Sequence, residues 1–448
     1  MHARVAALEA RIEDLLALVA KQQARIEILE KASGSGPGGP PQSSPAVEPE
    51  AVRKPKGRSP GHPGTSWSLP AVEPQVVELQ LTHCPDCGGK LSELIDVQEH
   101  TVVDLPEQIE PLITQYRHER RYCARCKKTV RAPRAPHEPP HGHFGIRLLS
   151  RIAEWKTQLG IPFTKIHDLL ASVFEIQIPR STLPGMVARV GRWLLPVHRR
   201  LIEDLKAAPV KHADETTWPV SGKNGWAWLF ATKEISVFLM EPTRGAVVPE
   251  KVFDGHIDGT LVSDDYGVYL DLADERQSCW AHLLREAKEV AAVSRAPVAI
   301  RLREELQSIF EDAEIVAAAS ATLTPRALQR EIARIEERIA NLCKGRSKVD
   351  GVEHLKNRIA RQREALLTFL RCPGVDPTNN LGERKIRKLV LVRNVSGGSR
   401  SWDGARAHGT LASCLDSLAH LKSSFVDLVR RHAMPARFCA SFASVVTA

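Results

Sequence analysis

Three acidic residues, far apart in the chain, have the types and settings that metal-assisted phosphodiester chemistry needs. They are Asp214 in Lys211-His-Ala-Asp-Glu-Thr-Thr-Trp218, Asp264 in Gly259-Thr-Leu-Val-Ser-Asp-Asp-Tyr266, and Glu383 in Asn379-Asn-Leu-Gly-Glu-Arg-Lys-Ile-Arg387. Attack of water or a terminal hydroxyl on phosphorus requires a deprotonated nucleophile and a stabilised leaving oxygen. Two Mg²⁺ or Mn²⁺ ions about 3.5–4 Å apart supply both, and such hard cations take carboxylate oxygens. One Asp bridging both ions, with the other Asp and the Glu each serving one, meets that need. Each acid also has a plainer explanation. Asp214 and Asp264 sit in turn-like contexts, and Glu383 stands three residues after Asn380, a capping-box spacing. Together, the plainer explanations leave three acids at fold-consistent positions of a basic chain unexplained.

Around Glu383, the cations Arg384, Lys385, Arg387 and Lys388 are candidate DNA phosphate contacts, and Arg393, Ser396 to Ser399 and Arg400 follow as another. A second chemistry is signalled by Cys84-Pro-Asp-Cys87-Gly-Gly and Cys123-Ala-Arg-Cys126. Each pair forms a knuckle aiming two thiolates at one point, and four thiolates close a tetrahedral structural Zn²⁺ site. A redox pair is the competing explanation; two copies, with Gly after the first, favour zinc.

The elements that must position these residues read as follows. Residues 1–31 carry heptads, with Val5, Ile12, Val19 and Ile26 at a and Leu8, Leu15, Gln22 and Leu29 at d. That pattern predicts a two-stranded parallel coiled coil, hence a homo-oligomer, at least a dimer. Residues 32–75 are a basic, Gly/Pro-rich linker suited to a phosphate backbone. Residues 76–135 form the four-cysteine zinc-binding module, where alternation over Ile113–Tyr122 predicts a ribbon of strands with Arg117, Arg120, Arg121, Arg125, Lys127 and Lys128 on a DNA-facing side.

Residues 144–206 are helical, a DNA-binding or linker segment. Leu148, Leu149, Ile152 and Trp155 mark a first helix, ended by Gly160-Ile-Pro162. Two more span 164–174 and 182–205, the latter bent near Pro196; these two could form a helix-turn-helix, simple core packing being the commoner alternative. Strands follow at Val210–Asp214, Trp226–Ala231 and Ile235–Met240, then a helix over Val248–Phe253 and a strand over Thr260–Asp264. This order matches the start of a ribonuclease-H-like sheet, with both Asp residues at neighbouring strand ends, where a ligand reaches them. The sheet domain covers 207–290 and 373–410. It is divided by a helical insertion over 291–372, and helices fill 411–448. The fold class is therefore multidomain α/β: an N-terminal coiled coil, a zinc-binding module and a ribonuclease-H-like catalytic domain with a helical insertion.

The 448 residues exceed one ordinary core, and a net charge of +9 favours an anionic partner such as nucleic acid. No apolar run approaches membrane-spanning length and no signal-peptide pattern opens the chain. Of nine cysteines, four form the two Cys-x-x-Cys pairs and the rest are scattered, which is no disulfide framework, so a reducing cytoplasm is expected.

As a set, several motifs resemble the IS66-type insertion-sequence transposases: Gly61-His-Pro-Gly64, the Cys-Pro-x-Cys-Gly-Gly knuckle, His-Ala-Asp-Glu-Thr-Thr, Leu-Val-Ser-Asp-Asp-Tyr-Gly-Val-Tyr, Cys279-Trp-Ala-His282 and Asn-Asn-Leu-Gly-Glu-Arg-Lys-Ile-Arg. The resemblance covers roughly residues 1–410 in the family's order. It implies DDE chemistry with Asp214, Asp264 and Glu383 as metal-bound catalytic residues, Asp264 being chosen over Asp265 because the acid followed by x-Tyr carries the match. It further implies Cys279 and His282 as buttresses of the active site rather than an independent metal site. Binding of double-stranded element ends and target DNA in the nucleoid, strand cleavage and strand transfer, and accessory proteins of the same element are also implied. Residues 411–448 depart from the family, lacking an Asn-Gly-x-x-Pro-like tail. Two other functions stay open: an inactive, transposase-derived DNA-binding regulator, and a ribonuclease-H-like nuclease without strand transfer.

Overall fold

The computed structural model describes residues 73–433, apart from 74, 81, 98–99, 104, 107–108, 136–137, 140–141 and 271. The coiled coil of residues 1–31, the linker up to residue 72 and residues 434–448 lie outside the described residues. The chain divides into two compact units, Met1–Asp104 and Leu105–Ala448. That division falls inside the stretch read from sequence as one module, 76–135.

In the first unit the described residues carry no helix or strand. Their one ordered turn is the first knuckle, where the Gly88 N–H donates to the Cys84 carbonyl at 2.8 Å and the Cys84 N–H to the Gly89 carbonyl at 3.0 Å. Gly88 has φ +70°, a left-handed conformation that suits a residue without Cβ.

The second unit opens with a hairpin of β1 (Arg120–Cys123) and β2 (Lys128–Arg131), antiparallel with Cys123 opposite Lys128. The ribbon is shorter than expected. Only the end of Ile113–Tyr122 joins a strand, and both strands are almost wholly exposed, so no apolar face extends them.

Four helices follow: α1 (Ile146–Thr157), α2 (Phe163–Val173), α3 (Thr182–Trp193) and α4 (Leu195–Lys206). Sequence spacing predicted one helix over 182–205. The structure breaks it at Leu194, and Pro196 occupies the first turn of α4, where its missing N–H costs nothing. Leu183, Met186, Val187, Val190 and Trp193 of α3 are buried in the main core, so the second helix of the expected helix-turn-helix serves packing along that face.

The central sheet contains β3 (Val210–Thr217), β4 (Trp226–Ala231), β5 (Ser236–Glu241), β6 (Ile257–Ser263) and β7 (Ala273–Ser278), in the order β5-β4-β3-β6-β7. The first three run antiparallel, whereas β3–β6 and β6–β7 are parallel, with short helix α5 (Val247–Val252) before β6. Strand β7 was not anticipated. Its sequence Ala-Asp-Glu-Arg-Gln-Ser has no apolar alternation because it is an edge strand with an exposed outer part.

The rest is helical: α6 (Trp280–Ser294), α7 (Pro297–Ala319), α8 (Pro325–Cys343), α9 (Val352–Leu366), α10 (Thr368–Arg371), α11 (Asn380–Ser396), α12 (Trp402–Asp416), α13 (Leu418–Leu421) and α14 (Phe425–His432). Helices α7 to α10 fall within residues 291–372. Thr324 caps α8 by accepting the Ala327 N–H at 3.3 Å, with Pro325 just inside. Ile332, Ile335 and Ile339 of α8 and Leu355, Ile359 and Leu366 of α9 share one core with Trp280, Leu302, Leu306 and Ile309. Helix α12 lies close on β5: a Cβ on Gly409 would meet the Phe238 carbonyl oxygen at 2.9 Å, so only glycine fits without a shift.

Candidate active site

Alternation along β3 separates two adjacent acids. Asp214 pairs across β4 with Leu229, whose core includes Ile386, Leu389 and Val392 of α11. Glu215 pairs with Trp228 and belongs to the opposite face. There its side chain is 2 % exposed, held by the Arg244 guanidinium and by the Tyr269 hydroxyl, which donates to Oε2 at 2.7 Å. Asp214 is left facing α11.

Asp264 stands at the matching level of the next strand. In the β3–β6 ladder each residue pairs with the one fifty positions later, from Val210 with Thr260 to His212 with Val262. The same offset carries Asp214 to Asp264, just past the last paired residues. An Asp264 oxygen accepts the Tyr266 N–H at 3.1 Å. Its neighbour Asp265 is taken instead by Arg358 of α9 at 3.2 Å and Arg361 at 2.7 Å, an ion-pair cluster that anchors the insertion.

Glu383 lies in the first turn of α11. The helix begins one residue earlier than a cap at Asn380 requires, so the capping-box explanation of Glu383 does not apply. Asn379, at the cap position, spends its side chain on β3: Nδ2 donates to the Ala213 carbonyl at 2.8 Å, and Oδ1 lies 3.0 Å from His212 Nδ1. At the far end of α11, Arg393 Nη1 donates to Thr216 Oγ1 at 2.9 Å and to the Thr217 carbonyl at 2.6 Å. Helix α11 is thus tied to β3 on both sides of Asp214. Gly382 is required here, since a Cβ would come 2.7 Å from Asn379 Oδ1.

Burial first, and then the negative charges of Glu215, Asp264 and Glu383, push the Asp214 carboxyl up to about 7, against the pull of the Glu215 N–H on Oδ1. A cluster of like charges around a half-buried carboxyl is relieved by a bound cation, and three carboxylates form a hard-oxygen donor set. By donor type the three acids suit hard divalent ions; among the described residues, the group whose ligand atoms all lie within 4.8 Å of one another is Cys279, His282 and Glu383.

Cys279 and His282, at the start of α6, border Glu383. One ligand atom from each of the three lies within 4.8 Å of the others. Cys279 is buried, and its sulfur accepts the Asn379 N–H at 3.1 Å.

Of the expected phosphate contacts, Arg384, Arg387 and Arg400 are exposed. Lys385 is not available: its ammonium lies 3.0 Å from Asp416 and donates to Ser236 at 2.7 Å, joining α11 to α12 and β5. Lys388 is exposed and also paired with Asp416, and Arg393 is committed to the β3 clamp. Sequence reasoning missed Asn379, Arg244 and Tyr269. Asn379 and Tyr269 stand inside the motifs quoted above without a role assigned to them there, and Arg244 carried no signal.

The two knuckles are each described within their own unit. In each, backbone N–H groups hold the first thiol below the usual cysteine range: Asp86 and Cys87 for Cys84, Cys126 and Arg125 for Cys123. That environment favours the thiolate that zinc requires. None of the described cysteines is in a disulfide, and none of the described helices is long and apolar enough to cross a membrane.

A family model described as "Transposase IS66 family" matches residues 141–407. Among curated proteins, the chain is similar to three of Sinorhizobium fredii, each described as uncharacterized. With y4qI it is 27% identical over 74% of this chain and 67% of that protein. With y4hP the identity is 22%, over 72% and 63%, and with y4jD it is 21%, over 76% and 72%. The chain spans about two thirds of the length of these relatives.

Proposed function

This chain belongs to the IS66 transposase family, and on that premise we propose that it is a DNA transposase, binding the terminal inverted repeats of an insertion sequence and catalysing metal-dependent strand cleavage and strand transfer. The observation that carries the reading is the relation of the three acids. Asp214 lies in β3 and Asp264 directly follows β6, the parallel strand beside it, and the helix bearing Glu383 is tied to β3 by Asn379 and Arg393. The strand order β5-β4-β3-β6-β7, three antiparallel strands followed by two parallel ones, supports a ribonuclease-H-like catalytic domain.

In this reading two Mg²⁺ or Mn²⁺ ions, when bound, supply an ionised nucleophile and stabilise charge on the leaving oxygen. Asp214, Asp264 and Glu383 would hold the ions through their carboxylate oxygens. Asp214 keeps its proton up to about pH 7 and would have to give it up to serve as a ligand. Arg384, Arg387 and Arg400 bind the phosphates of the DNA end and orient the scissile strand. The heptads of residues 1–31 pair two chains for synapsis of two ends. Double-stranded DNA in the nucleoid is the partner.

The test supplies precleaved duplexes carrying the repeats that flank the coding sequence, a plasmid target and Mg²⁺ or Mn²⁺. A transposase forms joined end–target products, and Asp214→Asn, Asp264→Asn and Glu383→Gln abolish them. Cleavage without joining would identify a nuclease instead, and DNA binding without either would identify a regulator.

A further inference from the structure

We propose that Cys279, His282 and Glu383 form a separate site for a thiophilic divalent cation, Zn²⁺ foremost, and that filling it withdraws Glu383 from the hard-cation pair. The second half rests on the reading of Glu383 given above; the first does not.

The donor set is chemically distinct from the Asp214–Asp264 cluster. A thiol, an imidazole and one carboxylate oxygen suit Zn²⁺ and leave Mg²⁺ poorly served, because soft sulfur and borderline nitrogen ligands select against hard ions. All three ligand atoms lie within 4.8 Å of one another. His282 Nε2 is 3.7 Å from Glu383 Oε1, beyond hydrogen-bonding range. With Zn–N and Zn–O bonds of about 2.0–2.2 Å, such a pair of atoms on one tetrahedral ion stands roughly 3.3–3.5 Å apart, a few tenths of an ångström closer than here, so a small side-chain shift would seat the ion.

Two further observations point to a ligand. Glu383 Oε1 and His282 Nδ1 are both buried atoms without a hydrogen-bond partner, a costly arrangement that a coordinated ion and the reorientation it brings would relieve. The two carboxylate oxygens of Glu383 also face different ways: Oε1 toward His282, and Oε2 toward the Arg285 guanidinium at 3.9 Å. The sulfur already accepts the Asn379 N–H at 3.1 Å, the kind of outer contact that steadies a metal-bound thiolate. Binding Zn²⁺ releases the Cys279 proton to solvent and leaves a fourth position open to water.

The consequence follows from sharing. Asn379 bonds the Cys279 sulfur through its backbone and Ala213 through its side chain, so the two sites meet at one residue. An ion that holds Oε1 of Glu383 where it already lies, beside Cys279 and His282, competes with the Asp214–Asp264 pair for the third carboxylate. Zn²⁺ is then an inhibitor even where Mg²⁺ is abundant.

The experiment uses the full chain and Co²⁺, whose thiolate charge-transfer and ligand-field absorption report the site. Parent, Cys279→Ser and His282→Gln proteins are compared for bound Co²⁺ per chain, with circular dichroism and melting confirming the fold. The four knuckle cysteines are common to all three and cancel in the difference. His282 is only partly buried, so its variant keeps the test alive should Cys279→Ser misfold. Expected is the loss of one Co²⁺ per chain in Cys279→Ser, with part of the charge-transfer band, and at least tenfold weaker binding of that ion in His282→Gln. Equal Co²⁺ content and spectra in all three proteins overturn the site. In parallel, Zn²⁺ should release Mn²⁺ from the parent but not from Cys279→Ser. Zn²⁺ binding without Mn²⁺ release overturns the sharing of Glu383 while leaving the site. Absence of any Asp214-dependent Mn²⁺ binding would instead count against the reading of the catalytic pair.

Discussion

Asn379 donates its side-chain amide to the carbonyl of Ala213 at 2.8 Å, which bonds the residue preceding the Glu383 helix to the residue preceding Asp214. The amide is 1 % exposed, and its oxygen faces His212 Nδ1. Asn379→Ala leaves a buried carbonyl and a buried imidazole without partners, so it should cost about 2–4 kcal/mol in urea denaturation. Asn379→Asp should lose a similar amount, because a carboxylate cannot donate to the carbonyl. A change below about 0.5 kcal/mol in both would show that the clamp is incidental.

The clamp also marks where sequence reading stops. Trp226–Ala231 was legible as a short continuous apolar run, and the helices over 297–366 because their apolar residues repeat at helix period. Asp214 and Asp264 were legible as acids after apolar runs. Asn379 was not, because its bonds reach back 166 residues to a backbone carbonyl, and no local pattern records such a contact. Strand β7 was hidden by its polar edge, its inner residue Gln277 donating to the Leu366 carbonyl and accepting the Phe369 N–H. Lys385 looked like its basic neighbours; only the position of Asp416 on α12 distinguishes it.

Asp214 should make the protein less stable as pH rises. Its folded pKa, about 7, lies above the ordinary carboxylate value of 3.8, so the folded state holds the extra proton between the two. The stability contributed by the protonated form is complete below 3.8 and lost as pH passes 7. Asp214→Asn should therefore be more stable than the parent at pH 8, by on the order of 2–4 kcal/mol, and indistinguishable near pH 4. Mg²⁺ should stabilise the parent at pH 8 and leave the variant unmoved. Equal melting temperatures at both pH values would remove the electrostatic coupling.

The buried histidines have the opposite sign. Burial, aided by Arg199, holds His198 down to about 4, and burial, aided by Lys156, holds His408 down to about 3, from an ordinary value of 6.5. The unfolded chain takes up these protons first, so stability is full above 6.5 and falls as pH drops toward 4 and then 3. His408 stacks on Trp218 at 4.9 Å, so its charging would loosen α12 from the end of β3. Melting temperature followed from pH 7.5 to 4.5 should fall steeply in the parent and less steeply in His198→Gln and His408→Gln; parallel curves would rule these residues out as the cause.

The central claim is that Asp214, Asp264 and Glu383 hold one pair of divalent ions. Mn²⁺ titration of the full chain with its DNA end bound, read by electron paramagnetic resonance, tests it most directly. The account predicts two ions per site with a spin-coupled spectrum, and loss of that coupling in each of Asp214→Asn, Asp264→Asn and Glu383→Gln. An unchanged coupled spectrum in any one of the three variants, or a parent that binds no Mn²⁺, would contradict it.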